Sequence, residues 1–481
     1  MEKQLPLVSH PSPEIRRGAG GEVVRPIIHK PMKSINSLFF LLLLVTVSSC
    51  KDFLDVKPLE SISDTETITD QNSALTALRG VYSALASGDY YGTSFQSIGY
   101  LSGDNIQWTG SQSQVQEFIN KKVNADNSTI SSVWIAIYRT INRANNIIAK
   151  VPTVTDPALT TALKNQYLGE AYAIRALAYF DLSRTFGGVP IITDPTIKPT
   201  DNSGIKRSTQ AETYAQVLKD LETAEPLLPT TVDRYRVTQK TVFALKSRFY
   251  LYQKDYAKAE DYASRLISDA TNYKLVKPYG AFFQNDARGT AESVFEIFYN
   301  GTTEVNSHRG QWQPQTNGGT RQWAPNDALV ALLNDPAVGG NRSVLVAKDN
   351  QNRWYGNLYY RNPGSDPSYV FRIAEAYLIR AEARAQQDKL ADALTDLNAV
   401  RDRAGLTALT ATTTSTKDAV LLAIENERRV EFALEPHRWF DVVRTGRAGA
   451  VFNLTDANRY VLPIPVQQLQ TDKALTQNPG Y

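Results

Sequence analysis

The chain has 481 residues, with 52 Lys and Arg against 49 Asp and Glu, four histidines and one cysteine. The first 49 positions hold six basic and three acidic residues, so residues 50–481 carry 46 charges of each sign and offer no electrostatic footprint for nucleic acid. A single cysteine excludes an internal disulfide and a thiolate metal site, and the two histidines after position 49, His308 and His437, are too few for a histidine metal cluster.

The first element is a leader. Leu38 to Val47 is an apolar run of ten residues, short of the ~20 that a bilayer-spanning helix needs. Lys30 and Lys33 precede it, and Val47-Ser48-Ser49-Cys50 closes it with small residues and the cysteine. This is the layout of a secretory signal. The four residues resemble a bacterial lipobox, whose cysteine carries a thioether-linked diacylglycerol. On this reading residues 1–49 are removed, Cys50 is lipidated, and residues 50–70 form the lipidated start and its tether. Met32 to Ser49 makes a complete signal by itself, so residues 1–31, with Pro6, Pro11, Pro13 and Pro26, read as an over-called start. The rival reading is a short membrane stub with an incidental cysteine. Stable anchoring takes at least two acyl chains.

The 432 residues that follow suffice for a sizeable core, in one large or two intimate domains. Asn72 to Ala86 spaces Leu75, Leu78, Val81, Tyr82 and Leu85 at helical intervals. Val133 to Val151 does likewise. Tyr167 to Arg184 is a strong amphipathic helix stopped by Gly187-Gly188, and Thr209 to Leu221 is closed by Pro226 and Pro229. Leu245 to Ser264 and Ile379 to Asn398 each read as helix, polar turn, helix, with Ala257 and Ala259 matching Ala391 and Ala393. Small residues there let antiparallel helices approach closely. The fold expected is mainly α, a superhelix of tetratricopeptide-like helical hairpins. A generic helical hairpin is the plainer alternative. Residues 272–368 break this pattern. They are rich in Gly, Asn, Trp and Tyr, and Ser293 to Tyr299 is their best strand candidate. A long irregular insertion on an ordered scaffold is where binding residues tend to sit.

Several stretches together carry a family resemblance. They are Cys50 to Asp55 (CKDFLD), Leu168 to Pro190, Ile424 to Gly446, Leu462 to Pro465, and the closing Gln477-Asn478-Pro479-Gly480-Tyr481. The chain resembles the SusD/RagB family of surface lipoproteins of Bacteroidetes. The resemblance implies a non-enzymatic, lipid-anchored protein of the outer membrane, exposed at the cell surface. It implies capture of an oligosaccharide or other nutrient oligomer, and a role as lid for a SusC-type TonB-dependent transporter. Pro436-His437 departs from a glycine-containing turn of the family, and Gln468 stands where an acidic residue is expected. Peptide uptake by the same fold, a surface glycosidase, and a scaffold that binds only protein are the rival readings.

Glu427, Glu431 and Glu435 recur every fourth residue and line one helical face. Same-face carboxylates do not easily flank a sugar bond as hydrolysis requires. With Arg428, Arg429, Arg438 and Arg444 nearby, they read as a structural salt-bridge network. Glu170, Arg175, Asp181 and Arg184 read the same way, and Arg438 and Asp441 as a local charge pair. His308 reads as a loop histidine. No GxSxG, phosphate loop or HExxH is present, and no cofactor or metal is expected. Sugars have apolar faces and polar edges, which suit flat aromatic rings flanked by hydrogen-bonding side chains. Ligand sites of the family are built from such an arc. The resemblance points to Asp104, Asn105 and Trp108 from an early loop that also holds Tyr90, Tyr91 and Tyr100. From the insertion the candidates are Trp312, Arg321, Trp323 and Trp354. Packing beneath a loop is the alternative for each ring.

Overall fold

Side-chain caps start the helices close to where periodicity places them. Asp70 opens α1 (Gln71–Leu85) by accepting from Ser73 N at 2.8 Å, while Ser73 Oγ accepts from Asp70 N. Thr209 opens the helix Gln210–Ala224 and Thr238 the helix Gln239–Tyr252 with the same reciprocal bonding. The computed structural model describes residues 68–198 and 200–481. The leader, Cys50 and most of the expected tether lie outside the described residues.

The long helices stack on their neighbours in sequence. α1 packs on α2 (Ser128–Lys150), α2 on α3 (Thr161–Phe186), α3 on α4 (Gln210–Ala224) and α4 on α5 (Gln239–Tyr252). α5 then packs on α6 (Tyr256–Ile267). The next partner of α6 lies more than a hundred residues on: α7 (Ile373–Gln386), which in turn packs on α8 (Leu390–Arg403) and α9 (Lys417–Glu431). α10 (Arg438–Arg444) follows. The molecule is mainly helical, as the sequence led us to expect.

The two similar hairpins are alike in detail. Each turns through a non-glycine residue of positive φ, Lys254 (φ 58°) and Asp388 (φ 60°). Each then buries an alanine five positions later, Ala259 and Ala393, at 0% exposure. Both belong to the apolar core clusters. Ala257 and Ala391, the other matched pair, are exposed.

The described strands are short and pair antiparallel: β1 (Ile106–Trp108) with β3 (Trp323–Pro325), β2 (Ser293–Ile297) with β6 (Ser368–Arg372), and β4 (Val346–Lys348) with β5 (Trp354–Gly356). The insertion thus leaves the helical stack at β2 and returns beside it at β6. Its apolar residues join the same core as the helices, and a smaller cluster around Leu378, Leu397 and Ile424 serves α7, α8 and α9.

Charge is buried in pairs. Arg175 grips Asp220 through two hydrogen bonds of 2.8 and 2.7 Å, and Arg236 reaches Glu170 at 2.6 Å. Arg342, Arg372 and Arg403 converge on Glu431. α9 ends at Glu431, so Glu435 is not part of a continuous helical face. It lies in the following turn and still meets Arg372 at 2.5 Å. Arg438 and Asp441 do not pair with each other. Arg438 bonds Asp104, and Asp441 is shared by Arg428 and Arg444.

Candidate functional site

The early loop and the insertion do meet, as expected. Strand register sets Trp108 opposite Trp323, and the rings of Tyr100, Trp312 and Trp323 gather with centres 5.3 to 6.0 Å apart. What they build there is a core. Trp312 is 0% and Trp323 5% exposed, so neither ring offers a face to a ligand. Gly356 explains the depth of Trp312: a Cβ at that position would lie 2.5 Å from the indole. Asn105 is 1% exposed, accepts from Arg429 Nε at 2.8 Å and donates to Arg429 O. For these three the expected ligand contact is corrected to a packing role.

Asp104 is also engaged. Arg438 Nε donates to it at 2.7 Å and Arg429 lies 3.2 Å away. Burial pushes its carboxyl up, but the two guanidinium groups outweigh that and hold it below its ordinary value. It serves as the anion that ties the early loop to the segment after α9. His308 is likewise not a loop residue. It begins the short helix His308–Trp312, is fully buried, and stacks on Tyr359 with ring centres 4.3 Å apart.

Apart from Asp104, three of the candidates keep part of their surface: Trp108, Arg321 and Trp354. The backbone links them. Thr109 Oγ1, next to Trp108, donates to Arg321 O at 2.8 Å, and Arg321 Nε donates to Trp354 O at 2.8 Å. Arg321 has φ 51°, a left-handed conformation uncommon for a side chain of this size. Burial and the neighbouring Arg353 lower its pKa. Strand pairing adds Lys348 opposite Trp354, its ammonium 4.8 Å from the ring centre. Tyr355 and Gln322 are the partly exposed neighbours in sequence. Sequence reasoning missed Lys348, because only the β4–β5 register reveals it. The cluster combines two partly exposed indoles with cationic hydrogen-bond donors. That chemistry suits a ligand with apolar faces and hydroxyl edges. No group of three or more His, Cys, Asp or Glu among the described residues is arranged to hold a metal ion.

Comparison with known proteins agrees with this architecture. A family model described as "Starch-binding associating with outer membrane" matches residues 52–251, and a second, "SusD family", matches residues 274–453. The chain belongs to the SusD/RagB family. SusD-like protein P38 of Formosa agariphila is 27% identical to it, over 94% of this chain and 100% of its own length. A SusD superfamily protein of Bacteroides vulgatus has the same fold, with a TM-score of 0.77 at 23% identity over 85% of this chain and 99% of that one. So does surface glycan-binding protein A of Bacteroides thetaiotaomicron, solved with laminarihexaose, with a TM-score of 0.72 at 21% identity over 85% and 100%.

Proposed function

We propose that the protein captures a neutral oligosaccharide at the outer face of the outer membrane, without cleaving it. The observation that carries this is the partly exposed pair Trp108 and Trp354, tied through Arg321, in a chain of a family described as starch-binding. A pyranose ring lays its C–H face on an indole, and Arg321 and Lys348 hydrogen-bond its hydroxyls. The laminarihexaose held by one relative of this fold supports the same ligand class.

The delivery role rests on the family. The lipidated Cys50 holds the body at the membrane, and the body forms a lid over a SusC-type TonB-dependent transporter. Ligand that touches both partners favours the closed lid, because binding shifts a conformational equilibrium only by its differential affinity for the two states.

Titration calorimetry against a panel of neutral oligosaccharides and oligopeptides tests the capture step. At least one oligosaccharide is expected to bind, with no new reducing ends released on prolonged incubation. Binding of peptides alone overturns the glycan reading, and release of reducing ends overturns the non-enzymatic one. Co-purification of a SusC-type transporter tests the lid role.

A further inference from the structure

A second groove lies away from the strand cluster, between α1 and the chain just past β2. It encloses about 430 Å³ and is lined by Leu78, Arg79, Arg236, Tyr235, Phe298 and Glu304, within the ~300–1,000 Å³ range of small-molecule sites. Its most informative residue is Phe298. The preceding strand buries Val294, Phe295 and Ile297, yet Phe298 is 42% exposed. Tyr235, 37% exposed, meets it edge to face with ring centres 5.5 Å apart. Leaving two large rings in water forgoes the burial that ordinarily favours such side chains. Gly289 makes room for Tyr235: a Cβ there would sit 2.7 Å from the phenol oxygen.

The polar rim has unused hydrogen-bonding capacity. Arg236 commits Nε and Nη2 to Glu170. Its Nη1, the guanidinium of Arg79 and the carboxylate of Glu304 have no hydrogen-bond or ion-pair partner among the described residues. The groove beside α9 and α10 is different. There Arg428, Arg438, Arg444 and Arg447 are each paired with a carboxylate. Donors and an acceptor left open around two exposed rings match a neutral polyol better than an anion or a cation, since both signs of rim charge find hydroxyl partners.

We infer that this groove is a second saccharide site, with Phe298 and Tyr235 as the stacking platform and Arg79, Arg236 and Glu304 at its edges. The inference rests on the glycan-capture reading but uses none of the residues of the strand cluster.

The test is equilibrium dialysis of the detergent-purified full chain against neutral hexasaccharides, laminarihexaose included, with Phe298→Ala and Tyr235→Ala measured alongside. The unmodified chain is expected to retain more than one equivalent at saturation. Each variant is expected to lose one equivalent while keeping its thermal midpoint, since both rings are already partly in water. Tryptophan fluorescence, which reports the strand cluster because the groove contains no tryptophan, is expected to respond to ligand equally in the variants. Unchanged uptake in both variants overturns the second site and leaves glycan capture standing. No uptake of any hexasaccharide by the unmodified chain overturns both.

Discussion

Glu431 accepts a hydrogen bond from Arg342 Nε at 2.9 Å, and neither side chain reaches solvent. Arg372 Nη1 donates to the same carboxylate at 2.9 Å and Arg403 pairs with it as well. Burial alone pushes this carboxyl up, yet Arg403, Arg342 and Arg372 together bring it down to about 2. One anion thus joins α9 to α8, to β6 and to the segment before β4. Glu431→Gln is expected to leave buried guanidinium charge uncompensated and to lower unfolding free energy by about 3–5 kcal/mol in urea melts. A change no larger than the ~0–1 kcal/mol of a surface ion pair would show that the cluster is not holding these elements together.

The aromatic residues of the insertion are expected to separate into two classes. Trp323→Ala removes a buried ring and should destabilise by about 3–5 kcal/mol. Trp354→Ala and Trp108→Ala remove partly exposed rings, and should leave the thermal midpoint within a few degrees while weakening oligosaccharide binding ~10-fold, equivalent to about 1.4 kcal/mol. Calorimetric titration and thermal denaturation of the same preparations separate the two. If Trp354→Ala and Trp108→Ala bind like the unmodified chain, the strand cluster is not the capture site.

Acid should weaken the fold before it protonates the salt bridges. Burial drives His308 and His437 from 6.5 down to about 3, so both are neutral in the folded chain. The unfolded chain takes up these protons below 6.5. The stability associated with each is therefore whole above pH 6.5 and declines as pH falls toward 3, by about 2 kcal/mol per histidine near pH 5. Glu170, Glu296 and Glu435, whose carboxyls burial raises, act the other way and offset part of this, and so does Asp366. Burial raises its carboxyl from 3.8 to about 6, so between those values the folded chain holds the extra proton. Glu375 and Glu431, both brought down to about 2 by arginines despite burial, add a further loss below their ordinary 4.5. The thermal midpoint is expected to fall between about pH 7 and pH 5. A flat or rising midpoint over that interval contradicts the buried, neutral state of the histidines.

Cys50→Ser tests the anchor independently of the ligand. The variant is expected to lose incorporation of radiolabelled palmitate and to leave the outer-membrane fraction. Continued palmitate labelling of the variant would remove Cys50 as the acylated residue.

The helical frame was legible because its signals are local. Leu75, Leu78, Val81 and Leu85 recur at helical spacing, and Thr209 stands where its hydroxyl caps α4. The site was less legible because its determinants are long-range. Nothing near Trp312 in sequence announces that Gly356 opens a slot for it, or that Tyr100 waits beneath. Asp104 looks like a polar loop residue until Arg438, more than three hundred positions later, is seen beside it. Phe298 carried no local signal, since it shares its face of the expected strand with Val294 and Glu296, both of which are buried.

The antiparallel pairing of β2 with β6 brings the two ends of the insertion side by side. Whatever lies between them is attached to the frame as a closed excursion, and the entropy of closing such a loop grows only with the logarithm of its length. The parts of the excursion that stand clear of the shared core are therefore free to lengthen or shorten at little entropic cost, whereas Arg342 and the buried rings bind its remainder to the scaffold beneath.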